Sequence, residues 1–272
     1  MDRFGGCPVM TSFEGAIVDL DGTVYLGDEL IEGVREGIEC LRSSGTEVLF
    51  LTNNPIRRRS DYRDRLRSFG IDVVSERIVT SGSIAAEYLA TRHPDAATYV
   101  VGESALVAEL RDADVPLTTE PNAAEVVLAS MDRSFEYADL REVLEAFDGE
   151  SAPTFYATNP DRTCPTADGP IPDAAAMIGA IEGATGHELD AVLGKPSPTA
   201  VETAAGRLET APENCLVVGD RIGTDIRMGN RAGMTTALVL SGVTDSTDVS
   251  AASTEPDYVL ESLGQVDSVL RS

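Results

Sequence analysis

The stretch Gly15-Ala16-Ile17-Val18-Asp19-Leu20-Asp21-Gly22-Thr23 (GAIVDLDGT) passes from apolar to acidic over a very short span. Gly15 to Val18 is a continuous apolar run without alternation, the pattern of a strand buried on both faces of a parallel sheet. It delivers two carboxylates, Asp19 and Asp21, to its C-terminal end. Two acids at that place are costly without a cation or a proton between them. Mg²⁺ answers the need, because it prefers oxygen ligands and commonly takes one or two carboxylates with substrate phosphate and water. The plainer reading is an Asx-type turn with Gly22 at positive φ.

Working outward, Ile31, Val34, Ile38 and Leu41 recur at helical spacing until Ser43-Ser44-Gly45 stops the helix. EVLFL (Glu47 to Leu51) is a second buried strand, ending at Thr52-Asn53-Asn54-Pro55, and a helix follows with Tyr62, Leu66 and Phe69, closed by Gly70. Strand, helix, strand, helix with short polar loops predicts an α/β fold, a doubly wound parallel sheet of Rossmann-like type whose ligands bind beyond the carboxyl ends of the strands. The C-terminal part repeats the pattern: CLVVG (Cys215 to Gly219) runs into Asp220, and TALVL (Thr236 to Leu240) and DYVL (Asp257 to Leu260) follow. Between these halves lie further strands at TYVVG (Thr98 to Gly102), EVVLAS (Glu125 to Ser130) and TFYAT (Thr154 to Thr158), with a helix at Leu140, Val143, Leu144 and Phe147. A segment of about 100 residues is domain-sized. The expected organisation is a core of residues 1–81 and 185–272 with an α/β domain, 82–184, inserted in it. Ser81-Gly82 and Ala184-Thr185-Gly186 mark its approximate hinges, and residues 1–9, ahead of Met10, read as a disordered extension or a start-site choice.

The chain carries 46 acidic against 21 basic residues, a net charge of −25, and its only lysine is Lys195. Abundant Asp and Glu with almost no lysine is the composition of a protein kept soluble in molar salt, where repulsion is screened. A halophilic source is the expectation. Such a surface repels nucleic acid and anionic membranes, so neither is expected as a partner. No apolar run approaches the roughly 20 residues that span a bilayer. The N-terminus has no secretory pattern, and a cytoplasmic protein is expected. Cys7, Cys40, Cys164 and Cys215 lack metal-ligand spacing and read as free thiols, and with only His93 and His187 a histidine metal cluster is not expected.

The other strand ends carry chemistry as well. Thr52-Asn53 offers a hydroxyl and a backbone N–H to phosphate oxygens; Asp220 and Asp225 bracket GDRIGTD; Lys195 stands in LGKPSP at a loop-helix junction. Each alone has an ordinary reading as a turn residue or surface charge. In this order the motifs resemble the haloacid dehalogenase superfamily of aspartate-nucleophile phosphohydrolases. DxDGT matches Asp19 to Thr23, the strand-ending threonine matches Thr52, the lysine matches Lys195, and GDxxxxD matches Gly219-Asp220 through Asp225. LTNN (Leu51 to Asn54), VTSG (Val79 to Gly82), ATNPD (Ala157 to Asp161) and LGKPSP look like the NagD and p-nitrophenyl phosphatase subgroup, whose cap domain sits between the second and third motifs.

The resemblance implies a Mg²⁺-dependent phosphatase acting on a small phosphorylated metabolite. It makes Asp19 the nucleophile, Asp21 the general acid and base, and Asp19, the Asp21 carbonyl and Asp220 the metal ligands, with Asp225 orienting a metal-bound water or the lysine. Thr52, Asn53, Asn54 and Lys195 would hold the phosphate, and Asn159 and Asp161 would reach the cleft from the cap; relatives often pair through the cap, so a homodimer and a monomer both stand open. Asp21 favours phosphoryl transfer over dehalogenation, which needs no acid there. The chain departs from the subgroup at GPIPDAAAMIGAI (Gly169 to Ile181) and at Gly223. Those departures bear on substrate fit and metal-loop detail. Arg57-Arg58-Arg59 reads either as a guide for phosphate or as a solvated helix face paired with Asp61 and Asp64. Two alternatives from another class stand beside the enzyme: a phosphoacceptor signalling domain, against which the motif order and the insertion argue, and a binding protein on the same fold without turnover.

Overall fold

The computed structural model describes residues 12–149, 151–166 and 169–272. The expectation for residues 1–9, and Cys7 with it, lies outside the described residues. The protein is of the α/β class and its main strand pairings are parallel. It forms two compact units: the chain up to Leu49 together with Leu208–Ser272, and Phe50–Arg207. The second unit contains the segment 82–184 and extends beyond it at both ends.

In the first unit, Gly15–Val18 pairs in parallel with Cys215–Gly219, from Gly15 opposite Cys215 to Val18 opposite Val218. Cys215–Gly219 pairs in turn with Thr235–Val239, and that strand with Tyr258–Leu260. Every residue of Gly15–Val18 and of Cys215–Gly219 is buried, as their unbroken apolar runs require. The helix Val34–Ser43 turns Val34, Gly37, Ile38 and Leu41 inward, a stripe at helical spacing. A short hairpin, Tyr25–Leu26 with Glu29–Leu30, follows DLDGT at once.

In the second unit, Phe50 to Thr52, the end of strand Glu47–Thr52, runs parallel to Ile78–Thr80. Ser81 and Gly82, placed at a boundary by the sequence, open the helix Ser81–Arg92, whose N-cap Thr80 accepts from the Ser83 N–H. A four-stranded sheet in the order Ala191–Val192, Thr154–Ala157, Val126–Ala129, Thr98–Val101 carries the helices Tyr137–Phe147 and Ala174–Thr185 on its core face. Phe147 meets Phe155 edge-on, with ring centroids 6.0 Å apart. Each such buried side chain contributes roughly 1.5–3 kcal/mol, so this sheet has a core of its own. No helix among the described residues is long and apolar enough to cross a membrane.

Candidate active site

Two adjacent parallel strands of the first unit end together. The Asp19 N–H donates to the Val218 carbonyl at 2.9 Å, so Asp19 and Asp220 emerge side by side at the carboxyl ends. A π-type turn, Ile222–Ile226, then brings back Asp225, whose Oδ2 accepts from the Arg221 N–H at 3.1 Å. Asp19, Asp220 and Asp225 are all buried, and each places a carboxylate oxygen within 4.8 Å of the others. Asp225, expected at one remove, thus belongs to the same acidic group. The Asp21 side chain is half-buried and not part of it; its backbone turns with the hairpin, the Gly22 N–H donating to the Tyr25 carbonyl at 2.8 Å.

The loop from Ser241 to Val243, which none of the sequence motifs includes, completes this cluster. The Val243 N–H donates to Asp220 Oδ2 at 2.7 Å, and the Ser241 hydroxyl donates to the Gly22 carbonyl at 2.8 Å. Gly22, at φ 88°, and Gly242 close on Asp220 from two sides: a β-carbon on either would stand 2.4 Å or 2.1 Å from Oδ2. The signal was present, since Ser241-Gly242 follows the apolar run TALVL at the carboxyl end of a parallel strand.

The donor set fits a hard divalent cation. It is all oxygen, buried and anionic, and such a group is expensive to bury without compensating positive charge. Beside Asp225, the buried Thr224 hydroxyl has no hydrogen-bond partner among the described residues, which a hydrated ion would supply.

The second unit gathers the remaining predicted residues. Thr52 ends its strand buried, its hydroxyl accepting from the Asn54 N–H at 3.0 Å. Lys195 is buried, and its Nζ donates to the Leu51 carbonyl at 3.0 Å. The Asn53 side chain bonds the Lys195 backbone and Asp161 Oδ2. Asn159 Nδ2 donates to Asp173 Oδ1 at 3.2 Å and to Asp161 Oδ2 at 3.4 Å, and Asp173 caps the helix Ala174–Thr185. Asn54 Nδ2 approaches Cys164 Sγ at 3.7 Å. Of the three arginines, Arg58 pairs with Asp112 and Glu109, and Arg59 with Glu109. These side-chain partners come from the helix Ser104–Asp112, while Asp61 accepts from the Arg58 N–H at 3.0 Å.

Acidic residues at the carboxyl ends of parallel strands place a candidate site where α/β folds bind their ligands. Residues 16–116 match the haloacid dehalogenase-like hydrolases and residues 192–266 the HAD-hydrolase-like family. The chain is 38% identical to the sugar-phosphatase AraL of Bacillus subtilis, over 93% of its own length and 91% of that protein's. It is 32% identical to the dihydroxyacetone phosphatase of Corynebacterium glutamicum, over 92% and 89%. The 4-nitrophenylphosphatase of Thermotoga maritima superposes with a TM-score of 0.88 at 32% identity, over 95% of this chain and 97% of that one. The chain belongs to the haloacid dehalogenase-like hydrolases, and its fold is that of their NagD-like and p-nitrophenyl phosphatase-like members.

Proposed function

We propose that this HAD-type phosphatase hydrolyses small phosphate monoesters through an aspartyl-phosphate on Asp19. The observation that carries the reading is the buried group of Asp19, Asp220 and Asp225 at strand ends. A carboxylate oxygen of Asp19 attacks phosphorus, and the bond to the ester oxygen breaks as Asp21 gives that oxygen its proton. Asp21, now a carboxylate, takes a proton from water, whose oxygen attacks the same phosphorus and releases Asp19 and inorganic phosphate. Thr52, the Asn53 N–H and Asn54 bind the non-bridging oxygens, and Lys195 offsets the charge that builds on them. Mg²⁺, held by Asp19, the Asp21 carbonyl and Asp220 with Asp225 close by, would supply positive charge that lets a carboxylate approach a phosphate.

The insert 82–184 is assigned as the cap that selects substrate. The relatives' names, a sugar phosphatase and a dihydroxyacetone phosphatase, favour small phosphorylated sugars. The lysine-poor, acidic composition favours activity in molar salt in the cytoplasm of a halophile. The test is phosphate release from p-nitrophenyl phosphate with Mg²⁺ in molar KCl. The wild type turns over repeatedly and Asp19→Asn does not; a single stoichiometric release would favour a phosphoacceptor protein. Undiminished turnover by Asp19→Asn would remove the nucleophile assignment.

A further inference from the structure

We propose that the Asn53 side chain is a positioning residue for Lys195, an inference that rests on the role given to Lys195 above. The residues concerned all lie in the second unit. Asn53 Nδ2 donates to the Lys195 carbonyl at 3.0 Å, while Asn53 Oδ1 accepts from the Lys195 N–H at 2.9 Å. One side-chain amide thus reads both backbone groups of one residue, as a neighbouring strand would. The second Nδ2 hydrogen goes to Asp161 Oδ2 at 2.8 Å, and the Ser81 hydroxyl donates to the Asn53 carbonyl at 2.6 Å. Asn53, Ser81, Asp161 and Lys195 are all buried.

Counting donors and acceptors shows why this position calls for asparagine. A carboxamide has two N–H hydrogens and one oxygen, and all three functions are engaged within the protein. Aspartate would lack the donors and set a second carboxylate against Asp161. Alanine would take away the bonds that the Asn53 side chain makes to the Lys195 N–H and C=O, and lost hydrogen bonds are costly in a buried setting. The side chain is thereby committed to structure, and any contact of Asn53 with phosphate falls to its backbone N–H.

Lysine's four-carbon stem is flexible, so the position of its ammonium depends on how its main chain is held. Here both ends are tied to one short segment: the main chain to the Asn53 side chain, and Nζ to the Leu51 carbonyl at 3.0 Å. Thr52 lies between those two anchors. The segment that presents Thr52 therefore also sets the position of the ammonium. Loss of the Asn53 clamp removes the two bonds that tie the Lys195 main chain to this segment.

The test is a double-mutant cycle of Asn53→Ala and Lys195→Ala, read as kcat and KM for p-nitrophenyl phosphate. Asn53→Ala is expected to lower kcat about 100-fold, the loss typical of a catalytic group displaced by about 1 Å, with KM changed less than about threefold. In the Lys195→Ala background the same substitution should cost less than about threefold, because its effect runs through the lysine. Equal losses in both backgrounds overturn the proposal while leaving Lys195 catalytic. Near-normal turnover by Lys195→Ala overturns the lysine assignment and this inference with it. Should Asn53→Ala fail to melt cooperatively, Asn53→Ser, which keeps an oxygen acceptor, takes its place in the cycle under the same criteria.

Discussion

Gly242 lies against Asp220 so closely that a β-carbon there would stand 2.1 Å from Oδ2 and 2.6 Å from Cγ. No rotamer adjustment of Gly242 can relieve such a contact, because the clash is made by the first side-chain atom. Since the added β-carbon would also stand 2.6 Å from Asp220 Cβ, which no rotation of the carboxylate moves, Gly242→Ala must shift the loop away from Asp220 and disturb the bond from the Val243 N–H. We expect Mg²⁺ or Mn²⁺ affinity to fall about 10- to 100-fold, the range seen when groups that orient a metal ligand are removed. Calorimetric titration of the metal into wild type and variant checks this. Unchanged affinity would mean that the loop does not orient Asp220.

Much of the fold is legible because burial on both faces leaves an unbroken apolar run. Gly15–Val18, Cys215–Gly219 and Val126–Ala129 all announce themselves in this way. The strands Tyr25–Leu26 and Glu29–Leu30 do not, since two residues cannot display a period. The acids are legible through their position at strand ends. The contribution of Asp225 depends on the π-type turn Ile222–Ile226, which spacing alone does not reveal. Val243 acts through its backbone N–H, a group that every residue except proline has, so its identity carries no sign of the task. The Asn53 side chain is obscure for another reason. Its partner, Lys195, is 142 positions away, and only folding makes them neighbours.

Lys195 is buried, and its ammonium donates to a main-chain carbonyl. Arginine there would need space for a planar fork and would present its donors in a different pattern. Lys195→Arg should keep the charge yet lose about 100-fold or more in kcat, with the displacement cost again setting the scale. Steady-state kinetics beside a melting curve separates this from unfolding. Near-normal kinetics would make this single lysine a matter of composition.

Cys215 opens the strand beside Gly15–Val18. Burial, and then Glu14 and Glu213, pushes its thiol up to about 11 from 9.0. The folded protein holds the neutral thiol, so this contribution to stability is whole below pH 9 and is lost as pH rises through 11. Since the thiolate is the reactive form, iodoacetamide at about pH 8 should leave Cys215 unmodified in the native protein and label it in denaturant. Peptide mass spectrometry reads the difference. Equal labelling in both states would contradict the buried, raised thiol.

Three buried carboxylates within 4.8 Å repel one another unless positive charge lies among them. The sign of a substitution at Asp220 should therefore depend on the metal. In chelator, Asp220→Asn removes one of the three charges while an amide oxygen can still accept from the Val243 N–H, so the variant should melt above the wild type. With Mg²⁺ in excess the order should reverse, because ligand binding to the folded state stabilises it by an amount that grows with concentration over Kd. At 100 times Kd that gain is about 2.7 kcal/mol for the wild type, and the variant, lacking a ligand, should gain little. Melting curves of both proteins, with and without the ion at fixed molar KCl, give the four values needed. The reversal is specific to a cation site: if the wild type gains nothing from the ion, or if Asp220→Asn is less stable in both conditions, the three acids are held by the fold for another purpose.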